Sequence, residues 1–393
     1  MKKLFALLLA ALLVLSMAAC GGASETPGEQ QTPAAQEAKV EFPGGKISGT
    51  IADGMPFSEG RAFVRLPDSN KIYCITKEGD IVFAVSGAFG GSDRIYDYPQ
   101  TSDHALYPIP FQYTNGLAPL ANSGGVPVAF VDMDGNLTTA EALGVSHFDV
   151  QALAGGYILA YVKVSDSEYK LGIMNTKFEW IVEATTELYQ SCTAISDWLV
   201  NYYVDGFLYL ENTLWLNLET GEIASKSNVK LPSYYWQWGN GKDYAGIGNE
   251  TALSLEYLEN FNNLYLTSGF RGGKAVAVFS NGSAGYSFCM INEYGRAASS
   301  QKSITIKKSV EAVGFDGNYI LIADSKATMY GGGKTAKCYD ASGNYCGSVT
   351  VPDSVKALRW SISEGIIGLR YNAVEGLDKE YRYYDVNGNQ LFV

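Results

Sequence analysis

The chain has 393 residues, with 29 Lys+Arg against 41 Asp+Glu, a net charge of −12, 47% apolar residues and 18% charged ones. An acidic chain repels phosphate backbones, so no nucleic-acid partner is expected, and only two histidines are available for acid–base chemistry. The 43 Gly, 27 Tyr and 17 Phe favour pleated sheet and turns over long helices.

Lys2 and Lys3 precede an apolar run from Leu4 to Leu15 that is too short for a membrane span, which predicts a signal peptide over 1–19. Ala18-Ala19-Cys20 resembles the lipobox of bacterial lipoproteins, with Met17 where that family usually has Leu. The resemblance implies a diacylglycerol on Cys20 and cleavage in front of it. Gly21 to Ala38 contains only Gly, Ala, Ser, Thr, Glu, Gln and Pro, a composition that cannot offset chain entropy, so 20–39 reads as a lipidated Cys and a disordered tether. Gly21-Gly22 directly after the Cys is similar to Gram-positive lipoproteins. That likeness implies a lipid-anchored position on the outer face of the bacterial cytoplasmic membrane, where two acyl chains suffice for stable anchoring.

Residues 40–393 read as one β-repeat domain. Seven polar-plus-Gly steps each open a strand: Glu59-Gly60, Asn115-Gly116, Gly155-Gly156, Asp205-Gly206, Gly272-Gly273, Asp316-Gly317 and Glu364-Gly365. A second series of tight turns follows the same count at Gly79, Gly135, Phe178, Gly221, Gly295, Gly343 and Gly388. Ahead of these turns stand Thr76, Asp132, Asn175, Asn217, Asn292, Asp340 and Asp385, short side chains able to bond the backbone two residues on. The repeat length of about 51 residues, with three or four strands per unit, is that of propeller blades rather than helical solenoids. The expected fold is therefore all-β, a β-propeller-like ring of about seven repeats. An open β-solenoid or stacked antiparallel sheets are the alternatives.

Phe57-Ser58-Glu59-Gly60-Arg61-Ala62-Phe63-Val64 with Tyr73 to Val82 resembles a bacterial WG repeat. Asn115 to Leu120 with Phe130 to Asn136, and Gly273 to Val278 with Gly285 to Gly295, resemble two further copies; the Trp-Gly pair itself is missing throughout. That family is a repeat scaffold, so the resemblance implies architecture and no particular reaction.

The spacing between Gly221 and Gly295 exceeds the others, which predicts an insertion over about 224–266. Within it, Leu253, Tyr257, Leu258, Phe261, Leu264 and Tyr265 follow helical spacing, so one helix is expected near 250–265. Tyr234-Tyr235-Trp236-Gln237-Trp238 concentrates aromatics, either as a packed strand or as rings that stack on sugars or peptides, with Tyr234, Trp236 and Trp238 the candidate ligand-binding residues. Cys74, Cys192, Cys289, Cys338 and Cys346 follow Cys20, an odd set in which Cys338 and Cys346 could pair across a hairpin. His104 with Asp93, Asp97 and Asp103, and His147 with Asp149, could bind a metal or move a proton, but solvated loops and turn caps account for them more simply. No zinc spacing, phosphate loop or nucleophile motif occurs, so no metal, cofactor or catalytic residue is expected.

The functional expectation is a non-catalytic, membrane-tethered binding or protein-interaction module whose partner is a cell-wall glycan, a peptide or a surface protein. A glycan-active hydrolase using carboxylates among Asp93, Asp97, Asp132 and Asp134, and a structural subunit of a membrane assembly, are the alternatives.

Overall fold

The computed structural model describes residues 38–86, 89–90, 95, 110–195, 202–204, 206–211, 214–225, 234–239, 242–247, 264–268, 271, 274–292, 296–304, 310–324, 334–351, 358–371 and 380–393. The segment 1–19 expected to be a signal peptide and Cys20 lie outside them. Lys39, placed by sequence at the end of the tether, opens the first strand.

Among the described residues, seven antiparallel sheets of three to five strands follow one another along the chain, with a two-stranded ribbon between the fourth and the fifth. Sheet I holds Lys39–Glu41, Asp53–Gly54, Arg61–Arg65, Ile72–Thr76 and Ile81–Ser86. Sheet II holds Leu117–Ala121, Pro127–Asp132 and Leu137–Thr139; sheet III holds His147–Asp149, Tyr157–Lys163, Tyr169–Asn175 and Trp180–Thr185. Sheet IV holds Tyr202–Val204, Phe207–Glu211, Leu214–Asn217 and Ile223–Ser225, and sheet V holds Leu264–Thr267, Lys274–Ser280, Tyr286–Asn292 and Lys302–Ile304. Val310–Phe315, Tyr319–Asp324, Lys334–Asp340 and Tyr345–Val351 form sheet VI, and Leu358–Ser363, Ile366–Tyr371 and Glu380–Asp385 form sheet VII. Successive strands pair in order within each sheet; the exception is Lys39–Glu41, which adds to the far side of Ile81–Ser86.

The strands form where alternation supplies two apolar faces, and each face packs on the neighbouring sheet. Phe63, Cys74 and Phe83 of sheet I meet Leu120, Ala129 and Val131 of sheet II. Phe130 meets Phe148, Ile158 and Met174 between II and III. Leu159 and Ile173 meet Leu208 and Leu216 between III and IV. Val276 and Phe288 meet Val313 and Ile320 between V and VI, and Cys338 and Val349 meet Ile367 and Leu369 between VI and VII. The last sheet then packs on the first: Ile366, Tyr381 and Tyr383 share a core with Phe57, Val64 and Ile75. Tyr383 Oη donates to the Met55 carbonyl at 2.6 Å across this seam. This last layer removes the open-solenoid alternative, which would leave sheets I and VII apart.

All seven short polar residues start their turns as side-chain acceptors for backbone N–H groups. Asp132, Asp340 and Asp385 each bind two such groups through Oδ1, at 2.8–2.9 Å. Thr76, Asn175 and Asn217 likewise each accept two, and Asn292 accepts Arg296 N–H. Phe178 takes the left-handed conformation that glycine takes elsewhere, at φ +63°. Its ring lies 5.5 Å from Phe130 in the layer between II and III, which gives a packing return on the strained backbone.

Of the helix expected near 250–265, residues 250–263 lie outside the described set, and the last two, Leu264 and Tyr265, open a strand of sheet V. A helix that the sequence reading did not expect spans Thr186–Ile195, where Thr185 Oγ1 accepts Leu188 N–H at its start and Leu188 and Cys192, one turn apart, enter the III–IV core. The cysteine pairing is corrected. Cys338 and Cys346 are free thiols, because a register shift after Cys338 pairs it with Gly347. Cys74, Cys192 and Cys289 are buried free thiols.

Candidate functional site

The meander sorts the connections between two ends of the sheets. In sheets III to VII the polar-Gly step falls between the first strand and the second, in sheet I between Asp53–Gly54 and Arg61–Arg65, and in sheet II just before the first strand; the Asx-type turns fall between the last two strands of sheets I to VI and after the last strand of sheet VII, so both series lie at one end. The remaining loops and the crossovers between sheets lie at the other.

The first end is closed by its own hydrogen bonds. Glu59 of sheet I accepts the Asn115 and Gly116 N–H groups of sheet II at 2.7 and 2.9 Å. Asn115 in turn donates to the Leu153 and Ala154 carbonyls beside the next step, at 2.7 and 3.0 Å. Asp316 of sheet VI accepts Gly365 N–H at 2.7 Å, and Glu364 of sheet VII accepts Gly60 N–H at 3.0 Å. The polar residue of one step thus clasps the following step. Of the carboxylates weighed for paired catalysis, Asp132 is engaged in its turn, where it accepts Asp134 N–H, Asn136 N–H and the Asn136 amide.

The opposite end carries the long connections, and the aromatic run belongs to one of them. Tyr234–Gly239 pairs with Lys242–Ile247 as a two-stranded ribbon between sheets IV and V, in the register Trp236 to Ala245 and Trp238 to Asp243. Asp93, Asp97, Asp103 and His104 lie outside the described residues. Ile95 between them is buried, and its N–H donates to Asp53 Oδ2 at 2.6 Å. Asp53 also pairs with Arg370 Nη2 at 2.8 Å with both side chains nearly enclosed, and Arg370 donates to the Gly54 carbonyl at 3.1 Å. This buried ion pair ties sheet VII to sheet I at the loop-bearing end, and no sequence motif announces it.

His147 and Asp149 occupy alternate positions of the first strand of sheet III, on the side that faces the III–IV core. His147 stacks on Tyr161 with centroids 4.4 Å apart and meets the edge of Tyr169 at 5.6 Å. Tyr189 of the helix meets Tyr161 at 6.3 Å and Tyr169 at 5.8 Å, completing a circuit of four rings. The start of strand one, the end of strand two, the start of strand three and the crossover helix supply these rings, so the circuit sits at the loop-bearing end. Asp149 Oδ1 accepts Gln151 N–H at 2.9 Å, which is the expected turn cap. Burial pushes its carboxyl up to about 6 and lowers the His147 imidazole, which bonds Ser146 Oγ at 2.6 Å. Gln151 Oε1 is enclosed and accepts no hydrogen bond. The sequence signal for this site was the His147–Asp149 spacing; the tyrosines come from residues up to 42 positions away and carried none.

Among the described residues, no three His, Cys, Asp or Glu side chains converge for a metal, and no helix is long and apolar enough to cross a membrane.

Seven meander sheets packed face to face, the last on the first, make the chain a β-propeller. It is similar to the solved structure of a prolyl endopeptidase, with 9% identity and a TM-score of 0.37 over 88% of this chain and 49% of that one, so it spans about half the length of that protein. It is also similar to the β-propeller domain of the Trilobed protease from Pyrococcus furiosus, with 9% identity and a TM-score of 0.31 over 86% and 94% of the two chains. A streptogramin B lyase gives 10% identity and a TM-score of 0.32 over 88% and 98%. At such identities the likeness concerns the fold alone. No protein-family model matches the chain, and no curated protein matches it in sequence.

Proposed function

We propose that the protein is a cell-surface lipoprotein whose β-propeller, built from WG-type repeats, acts as a non-catalytic binding module and turns its loop-bearing end to a cell-wall glycan. The observation that carries this reading is the asymmetry of the two ends. One is locked by turn-to-turn hydrogen bonds, whereas the other gathers the long connections, the aromatic ribbon and the ring circuit of sheet III. Recognition residues concentrate on loops held by a rigid scaffold, and aromatic surfaces give large contact area at low entropy cost. The lipobox-like Ala18-Ala19-Cys20 and the tether behind it supply the membrane attachment.

The test uses the whole chain in two forms. Cys20→Ala is expected to move the protein from the membrane to the soluble fraction, and unchanged membrane retention overturns lipidation. The released form is then applied to an array of glycans and peptidoglycan fragments beside its Trp236→Ala, Trp238→Ala derivative. Binding that is lost in the folded derivative supports the reading. Absence of glycan binding overturns it and directs the search to peptide or protein partners.

A further inference from the structure

We propose that the ring circuit of sheet III, with Asp149 and Gln151 beside it, binds a small organic ammonium ion. Three observations converge on this ligand class. First, Asp149 lies in an otherwise apolar layer, where the described sheet IV side chains are Leu208, Leu210, Leu216 and Leu218. No cationic side chain among the described residues pairs with it; its carboxylate accepts one backbone N–H, from Gln151. A half-buried carboxylate without a counter-charge is unfavourable, and a bound cation lessens that penalty.

Second, the neighbouring free group is again an acceptor. Gln151 Oε1 is enclosed with no donor, so the cluster turns negative charge and an acceptor dipole toward a ligand, the electrostatic complement of a cation. The other titratable groups facing Asp149 do not supply the missing positive charge: His147 is favoured neutral by burial, and Tyr161 and Cys192 are held protonated by burial. Tyr189, on the same helix as Cys192, contributes an uncharged phenol ring.

Third, four rings adjoin one another on the side of sheet III that carries Asp149. His147, Tyr161, Tyr169 and Tyr189 follow one another at centroid separations of 4.4–6.3 Å, a spacing at which one cation can lie within reach of several rings. His147, Asp149, Gln151, Tyr169 and Tyr189 are each half-buried, so the cluster is open to solvent from the loop-bearing end. None of these residues belongs to the ribbon Tyr234–Gly239 and Lys242–Ile247. Ammonium binding and glycan binding can therefore fail or succeed independently.

The probe is choline chloride, with its neutral carbon isostere 3,3-dimethyl-1-butanol as the control, titrated calorimetrically into the full chain at neutral pH. Saturable binding of choline and none of the isostere is expected. Asp149→Asn keeps the shape and removes the charge, and it should weaken binding by at least about tenfold while circular dichroism stays that of the parent. Tyr169→Ala removes one ring without touching the carboxylate and should also weaken choline binding, which decides the matter if the Asp149 variant does not fold. Equal binding of the isostere, undiminished binding by a folded Asp149→Asn chain, or no saturable binding of choline overturns the proposal.

Discussion

Glu364 of the last sheet and Gly60 of the first are 304 residues apart and joined by a hydrogen bond, the Glu364 carboxylate accepting the Gly60 N–H at 3.0 Å. Lys77, in a turn of the first sheet, pairs with the same carboxylate at 2.9 Å. The seam between sheets VII and I is thus clasped at its turn end as the I–II, II–III and VI–VII seams are, rather than by apolar packing alone. Glu364→Ala leaves Gly60 N–H without this acceptor and Lys77 without this partner. An expected loss of about 1–2 kcal/mol follows for a charge-assisted bond at a half-exposed site. Urea unfolding measures it, and an unchanged midpoint would mean that the Ile366–Tyr383–Phe57 core holds the seam unaided.

Gly388 and Gly60 both adopt left-handed backbone, at φ +91° and +76°, but their surroundings differ. A Cβ on Gly388 would run into the Ser348 carbonyl, whereas one on Gly60 would meet nothing within 4 Å. Gly60→Ala should therefore cost about 1 kcal/mol, from backbone conformation only. Gly388→Ala should cost about 2–4 kcal/mol, because the turn after the last strand must also move away from Ser348 of sheet VI. Equal effects in thermal unfolding would refute the close approach at Gly388.

How much of this was legible in the sequence depends on the range of the interaction. Asp132, Asp340 and Asp385 announce their turns because the donors they bind stand two and four residues later. The polar-Gly steps announce seven repeats for the same local reason. The role of Glu59, Asp316 and Glu364 as clasps was hidden, since each is an acceptor whose donor belongs to the next sheet, 49 to 304 residues away and outside its own repeat. The helix Thr186–Ile195 was missed although Leu188 and Cys192 stand one turn apart, because the strand background and β-branched Thr193 and Ile195 mask a short helical signal. Of the candidate site, His147 and Asp149 were visible as a pair. The tyrosines around them became neighbours only through strand register and the crossover helix.

Asp53 and Arg370 form an enclosed ion pair whose partners lie in different sheets. Asp53→Ala strands a guanidinium among buried groups and also removes the acceptor of Ile95 N–H, so the expected loss is about 3–5 kcal/mol. Replacing both residues by apolar ones of similar bulk should recover much of that loss, because neither charge is then buried alone. A double-mutant cycle in urea measures the coupling, and simple additivity of the two single changes would show that the pair does not act as a unit.

The Asp149 carboxyl sets a pH dependence of definite sign. Its folded value of about 6 lies above the ordinary 3.8 because burial disfavours the charged form, an effect that the Gln151 N–H bond offsets only in part. Between those values the folded chain binds more protons than the unfolded chain, so this group's contribution to stability falls as pH rises through the window and levels off above 6. A shift of this size corresponds to about 3 kcal/mol at full burial, and partial solvent access reduces it to about 1–3 kcal/mol. Asp149→Asn removes the ionisation and should make the chain more stable than the parent at pH 7.5 by that amount, with little difference at pH 4. Melting curves at the two pH values test this, and a variant that is less stable at pH 7.5 would mean that the ionised carboxylate is a favourable part of the III–IV layer.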